Sequence, residues 1–245
     1  MNGPQKVIPD DLLNRYTMGG TVPVLDWWLD GTKDLLESTW DDKYIDSFVS
    51  KFTPFNIKNG LLYAEPYPGA SRMLLSAFDK YNISEKNVGI VGSTTPWVEA
   101  ILLNLGNTVT TIEYNAYTNL TERLTCKLYS TFEQETCGYD CIVTYSSVEH
   151  SGLGRYGDPL DPDGDIKTMK AICQNLKKDG LCIWGAPVGE DALVWNVHRV
   201  YGNKRLPLLF KNFKEIEWIG CQKQELVNKP LFKNGFQPVV ILKSI

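Results

Sequence analysis

Apolar positions along this chain change their spacing repeatedly, and each change marks an element. Val88, Ile90 and Val91 form a short run that stops at Gly92. After the small residues Ser93, Thr94 and Thr95, Pro96-Trp97 opens a helical spacing of Val98, Ile101, Leu102 and Leu105. Gly106-Asn107 ends it, and the β-branched run Thr108–Ile112 closes on Glu113. The pattern predicts a strand, a helix and a second strand. Upstream, Tyr67-Pro68-Gly69 precedes a helical spacing over residues 70–80, with Met73, Leu74, Ala77 and Phe78 on one face. Downstream, residues 125–128 predict a short third strand, and residues 139–145 an apolar strand that breaks into SSVEHSGLGRYGDPLDPDGD. Asp163 and Asp165 stand where N-caps belong, ahead of an amphipathic helix over residues 166–178 that turns Met169, Ile172, Cys173 and Leu176 inward. Asp179-Gly180 ends that helix and residues 181–185 read as the next strand.

Two last strand patterns remain, residues 213–219 and 238–242, and the KPLFKNGFQ that leads into the second is too short for a crossover helix. Alternating strands and helices with one such connection predict an α/β fold. It is a doubly wound, three-layer, Rossmann-like sandwich whose mostly parallel sheet carries an antiparallel strand near the C-terminus. Residues 1–68 hold short, Trp- and Tyr-rich helical patterns (residues 25–28 and 40–48) without evident strand pairing. They read as an N-terminal helical cap whose aromatics are core, and residues 69–245 as the sandwich itself.

At 245 residues, 43% hydrophobic and 22% charged, the chain has the make-up of a globular domain with a large core. A net charge of −4, with no basic cluster among aromatics, predicts no nucleic-acid partner. No apolar run approaches the ~18 residues of a membrane span. The opening MNGPQKVIPDDLLNRY lacks the apolar core of a signal peptide, which predicts a cytoplasmic chain unless a signal or anchor precedes it. Two glycosylation sequons, at Asn82 and Asn119, decide nothing. The six cysteines form no CxxC pair and read as free thiols. Cys126 with Cys137 is the pair to examine in an extracytoplasmic setting. With two histidines, a zinc site is not expected.

The chemistry lies in the unit from Val88 to Glu113. An acidic residue about 20 residues beyond a glycine turn is the arrangement that meets a cofactor's ribose hydroxyls. Only Gly92 of the usual three glycines is present, and Pro96 has no N–H to offer a pyrophosphate. That weakens a nicotinamide dinucleotide reading and suits a phosphate-free cofactor such as S-adenosylmethionine. An ordinary βαβ unit, with Glu113 merely solvated at a strand end, is the other reading of the same residues.

The arrangement resembles a class I S-adenosylmethionine-dependent methyltransferase over about residues 86–245. Gly92 to Trp97 stand where that family's glycine-rich motif lies, and Glu113 where its acidic residue ends the second strand. YDCIVTYSSVEH is similar to the motif after the fourth strand, and NLKKDGLCIWGAP to the helix, turn and strand that follow. More narrowly, SSVEHSGLGRYGDPLDPDGD together with WNVHRVYGNKRL resembles the domain of unknown function 268 family. The resemblance implies a cofactor site made of Gly92, Ser93, Thr94, Glu113, Tyr114, Ser146 and Ser147. Gly92, Ser93 and Thr94 would lie against the methionine part, Glu113 on the ribose, and the two serines on the adenine or sulfonium side.

Strand ends of an open sheet converge at the switch point, so His150 falls near the same place and is the candidate to take a proton from an acceptor hydroxyl. His198 and Arg199, after the fifth strand, are candidates for the substrate wall, as is Arg155. The alternative makes His150 structural and pairs the arginines with Asp158, Asp161 and Asp163. The run Asp158–Asp165 raises a metal site, but Asp, Pro and Gly are also what a loop before a helix requires. The expectation is O-methylation of a sugar, glycan or small polar metabolite, with a catalytically inactive binding module as the alternative and an NAD-linked oxidoreductase as a third class.

Overall fold

The computed structural model describes residues 4–32, 39–63, 65–115, 118–136, 138–230 and 236–245. The first half runs α1 (Asp10–Tyr16), β1 (Val24–Trp27), β2 (Thr39–Trp40), α2 (Asp42–Val49), α3 (Pro54–Lys58) and α4 (Ala70–Lys80). It continues with β3 (Asn87–Val91), α5 (Trp97–Asn104), β4 (Thr108–Glu113), β5 (Thr118–Asn119), β6 (Thr125–Leu128) and α6 (Tyr129–Phe132). Then come β7 (Tyr139–Tyr145), a 3-10 turn (Val148–His150), α7 (Gly164–Asn175), β8 (Leu176–Gly185), β9 (Ala192–Asn196) and β10 (His198–Val200). The chain closes with α8 (Leu206–Leu209), β11 (Phe213–Ile219), α9 (Lys223–Val227) and β12 (Val239–Ser244).

Seven strands pair in the order β11-β12-β8-β7-β3-β4-β6. β8, β7, β3, β4 and β6 are parallel, and β12 runs antiparallel to both its neighbours. This is the expected mostly parallel sheet with one reversed strand. The inner strands are apolar on both faces because helices cover both. In β7, Cys141, Val143 and Tyr145 join one core with Leu74, Phe78 and Ile101, while Tyr139 and Ile142 join the other with Met169 and Trp184. Each fully buried side chain of this size contributes about 1.5–3 kcal/mol. From β3 the chain moves outward through β4 to β6, then returns to the other side of β3 as β7. The switch point therefore lies between β3 and β7.

Three expectations are corrected. The helix predicted over residues 166–178 ends at Asn175, whose buried side chain donates to Phe132 O (2.9 Å) and Ala171 O (3.0 Å). Leu176 is thus the first residue of β8, opposite Tyr139. Asp163 stands at the N-cap without a side-chain bond to the helix, and Asp165 lies inside the helix, fully buried. The N-terminal stretch is not free of pairing. β1 lies parallel to β9 in a small sheet completed by β10, and β2 pairs with β5. Of its aromatics, Trp40 is core, as its pattern implied, whereas Trp27 stays exposed. Cys141, Cys173, Cys182 and Cys221 are free thiols, and Cys137, the candidate partner of Cys126, lies outside the described residues. Among the described residues no helix is long and apolar enough to cross a membrane.

Asp165 ties the loop before α7 to the segment after β9. Arg205 donates to both its oxygens (2.6 and 2.8 Å), Tyr201 donates its hydroxyl at 3.0 Å, and the Arg199 guanidinium lies 3.6 Å away. All four are buried. Asp165→Ala leaves two enclosed guanidinium groups without their carboxylate, so the unfolding free energy read from urea denaturation is expected to fall by about 3–5 kcal/mol. A loss below about 1 kcal/mol would show that the network contributes little.

Candidate functional site

The carboxyl ends of β3, β4 and β7 open on a cavity of about 490 Å3 bordered by Gly92, Glu113 and Ser146. Gly92 turns the chain at the end of β3 with φ +81°, a region that side chains rarely adopt. Space restricts the position as well, since a Cβ there would stand 1.7 Å from Ser147 Oγ. The surviving glycine lets the loop after β7 lie directly over the turn after β3. Ser93, Thr94 and Thr95 then line the cavity and Trp97 starts α5 at its edge.

Glu113, at the end of β4, accepts the Ser93 N–H and, at 3.1 Å, the Tyr114 N–H. Burial pushes its carboxyl up to about 7 against those two bonds. Two further carboxyls that the sequence reading left without a role lie close by. Glu99, fully buried in α5, accepts the Thr111 hydroxyl at 2.9 Å. Glu149, fully buried in the 3-10 turn, accepts the Ser146 hydroxyl at 3.0 Å. Burial raises each to about 7. Tyr67, Trp97 and Tyr145 form an aromatic corner of the cavity with ring centroids 5.6–6.2 Å apart, and Tyr114 stacks on Tyr129 at 6.0 Å.

His150 lines the cavity. Its Nδ1 lies 2.6 Å from Val197 O, which assigns the proton to Nδ1 and leaves Nε2 as an acceptor, 3.7 Å from Glu149 Oε1. Burial, reinforced by the Arg155 charge, lowers the ring to about 3, so it stays neutral. His198 and Arg199 do not border the cavity. His198 is buried, edge-on to Trp27 and to His150 at centroid distances of 6.3 and 6.4 Å. Arg199 donates to Ser151 O (2.7 Å), Pro162 O (3.3 Å) and Glu149 O (3.4 Å) besides facing Asp165. The Arg155 guanidinium lies over the Tyr156 ring at 4.9 Å and donates to Val197 O at 3.3 Å.

The aspartate run is spent on the loop itself. Asp158 accepts the N–H groups of Gly152, Gly154 and Tyr156, Asp161 pairs with Lys167, and Asp163 with Arg15. Gly92, Ser93, Thr94, Glu113, Tyr114, Ser146, Ser147 and His150 therefore meet at one cavity. What the sequence reading missed, the buried glutamates and the aromatic corner, had a faint signal. Glu149 sits beside His150, and Tyr67 just ahead of α4.

This sheet order, with a reversed β12 and a cavity at the switch point, is that of the class I methyltransferase fold. The structure is similar to that of 1,6-didemethyltoxoflavin-N1-methyltransferase from Burkholderia thailandensis, solved with 1,6-didemethyltoxoflavin and S-adenosylhomocysteine. That match has 12% identity and a TM-score of 0.51, and covers 84% of this chain and 90% of that one. N-methyltransferase NodS from Bradyrhizobium japonicum WM9, in complex with S-adenosylhomocysteine, aligns at 13% identity over 83% of this chain and 99% of that one, with a TM-score of 0.48. Residues 85–231 match the family described as "Caenorhabditis protein of unknown function, DUF268", and the chain belongs to that family. No curated protein matches it in sequence.

Gly92→Ala is expected to cost about 1–3 kcal/mol of stability through strain at φ +81° and displacement of Ser147. Thermal unfolding reads the loss, and an unchanged melting temperature would mean that the two loops are not held in contact.

Proposed function

We propose that the chain is an S-adenosylmethionine-dependent methyltransferase acting on a hydroxyl of a sugar, a glycan or another small polar metabolite. The observation that carries this reading is convergence. The Gly92 turn, Glu113 and Ser146-Ser147 are far apart in sequence and border one open cavity at the switch point, where folds of this kind bind ligands. Thr94, Thr95 and Trp97 stand along the wall and leave about 490 Å3 open, which favours a working site over a decayed one. The residues suit the cofactor. A turn of small hydroxyl residues ending in Pro96 offers little to a pyrophosphate, and a carboxylate at the end of β4 suits ribose hydroxyls.

In this reading Gly92, Ser93 and Thr94 lie along the methionine part, Glu113 accepts from the ribose with Tyr114 beside it, and Ser146 and Ser147 flank the reacting end. When bound, S-adenosylmethionine supplies a methyl group activated on a sulfonium. The protein's task is then to align the acceptor and to provide a destination for its proton. The neutral His150 ring offers Nε2 as a hydrogen-bond acceptor to the incoming hydroxyl. Arg199 holds the carbonyls of Glu149 and Ser151 and so fixes the turn that presents His150, with His198 packed behind. Ring faces and edges of Tyr67, Trp97, Tyr145 and Tyr156, interleaved with hydroxyls of Ser151 and Thr168, suit a sugar. A net charge of −4 disfavours a polyanion.

Affinity for S-adenosylmethionine is expected to rise with pH up to about 7 and then level off. Below that value burial keeps Glu113 largely protonated, and only the carboxylate accepts two ribose hydroxyls. Binding in that range releases a proton. Glu113→Gln flattens the profile and weakens binding by about 1.5–3 kcal/mol. Isothermal titration reads both effects, and absence of heat with either S-adenosylmethionine or S-adenosylhomocysteine defeats the cofactor reading. Labelled S-adenosylmethionine offered with glycan and metabolite panels reads the acceptor, and transfer to protein or nucleic acid alone would show the substrate class to be wrong.

A further inference from the structure

We propose that Glu149 receives the acceptor's proton through the hydroxyl of Ser146, an inference that rests on the methyltransferase reading above. Ser146 borders the cavity at the end of β7, next to the Gly92 turn. It is held in a left-handed conformation, φ +53°, by its N–H bond to Gly185 O at 2.8 Å. A non-glycine residue in that region is costly; of the five such residues described, Ser146 is the one at the cavity. The conformation has a consequence for the hydroxyl. Gln237 Nε2 lies 3.4 Å from Ser146 Oγ and donates to it, and the Ser146 hydroxyl donates to Glu149 Oε1, 3.0 Å away, with the Tyr67 hydroxyl the other group bonded to that side chain. The backbone of Gln237 is held by the Tyr145 hydroxyl, which donates to its main-chain carbonyl at 3.0 Å. Cavity, hydroxyl and enclosed carboxyl thus form a directed chain.

His150 stands outside that chain. Its Nδ1 is bound to Val197 O, and its Nε2 at 3.7 Å is beyond hydrogen-bond reach of Glu149. It orients the hydroxyl while the proton goes elsewhere. In the step, the acceptor oxygen forms its bond to the methyl carbon as the carbon–sulfur bond breaks and sulfur keeps that electron pair. The acceptor's proton passes to Ser146 Oγ as the proton of Ser146 passes to Glu149 Oε1. Serine is regenerated and the carboxylate ends as a carboxylic acid, which later loses its proton to solvent. The groups facing Glu149 are the Arg155 charge, the hydroxyls of Tyr67, Tyr145 and Tyr201, the His150 ring, and Arg199, bound to its backbone carbonyl. Arg155 favours the ionised form and burial opposes it more strongly, which leaves the carboxyl poised near neutral pH.

Isotope-edited infrared titration of the protein tests the chain directly. Protonated-carboxyl absorption with midpoints near 7 is expected in the wild type from Glu99, Glu113 and Glu149 together, and the component that disappears in Glu149→Gln is expected to shift in frequency and midpoint in Ser146→Ala. A band untouched by either substitution overturns the proposal. With tritiated S-adenosylmethionine, Glu149→Gln should bind the cofactor as the wild type does, lose about 100-fold or more in kcat, and lose the rise of kcat with pH through neutrality. Turnover and pH rise retained in Glu149→Gln overturn this inference alone. A wild-type protein that takes up no S-adenosylmethionine overturns both this inference and the methyltransferase reading.

Discussion

The end of the sheet that carries the cavity depends on the contact between Ser147 and Gly92. β3 and β7 are parallel neighbours, in register from Val88 opposite Cys141 to Ile90 opposite Val143. Past that register neighbouring chains ordinarily diverge. Here the loop after β7 falls instead into the space that a side chain at position 92 would fill. Ser146 precedes that contact, Glu149 and His150 follow within three residues of it, and the cavity wall made by Ser151 and Gly152 continues from them. A single missing Cβ thus sets the floor and one wall together.

Much of the sheet was legible because its strands are runs of apolar residues set between glycines; the reversed β12 was expected from the short KPLFKNGFQ, although the whole link from β11 is longer and holds α9. The convergence of Gly92, Glu113 and Ser146 followed from the topology rule for open sheets. Other features were hidden for physical reasons. β1 pairs with a strand in the far half of the chain, and its residues Val24–Trp27 show no alternation that burial would impose. Asp165 reads locally as a cap, and only the approach of Arg205 and Arg199 from a distant segment makes it a buried counter-ion. The end of α7 was misplaced because Asn175 closes the helix with a bond to Phe132 O, a tertiary contact invisible to periodicity. Arg199, read as a substrate contact, is engaged by carbonyls of the neighbouring loop.

Three carboxyls, Glu99, Glu113 and Glu149, are enclosed within or beneath the walls of one cavity, and burial works against the charged form of each. Hydrogen bonds from Ser93, Tyr114, Thr111 and Ser146 recover part of that cost. Such a set resists a negatively charged guest and rewards one that brings positive charge or several O–H donors. The aromatic corner supplies the apolar counterpart, and Tyr67 and Tyr145 bring it up against Ser146 and Glu149.

The parallel pairing of β1 with β9 also bears on the order in which the molecule is assembled. Strands this far apart in sequence close a very large loop, so their contact carries a high entropic cost and forms late. During synthesis the N-terminal strand emerges well before its partner and must wait while β3, β4 and β7 pair behind it. His198, on β10 of the same small sheet, packs against His150, so the backing of the site is completed only when that early strand is finally seated. Vectorial folding would therefore leave this corner of the protein open until the chain's second half has emerged.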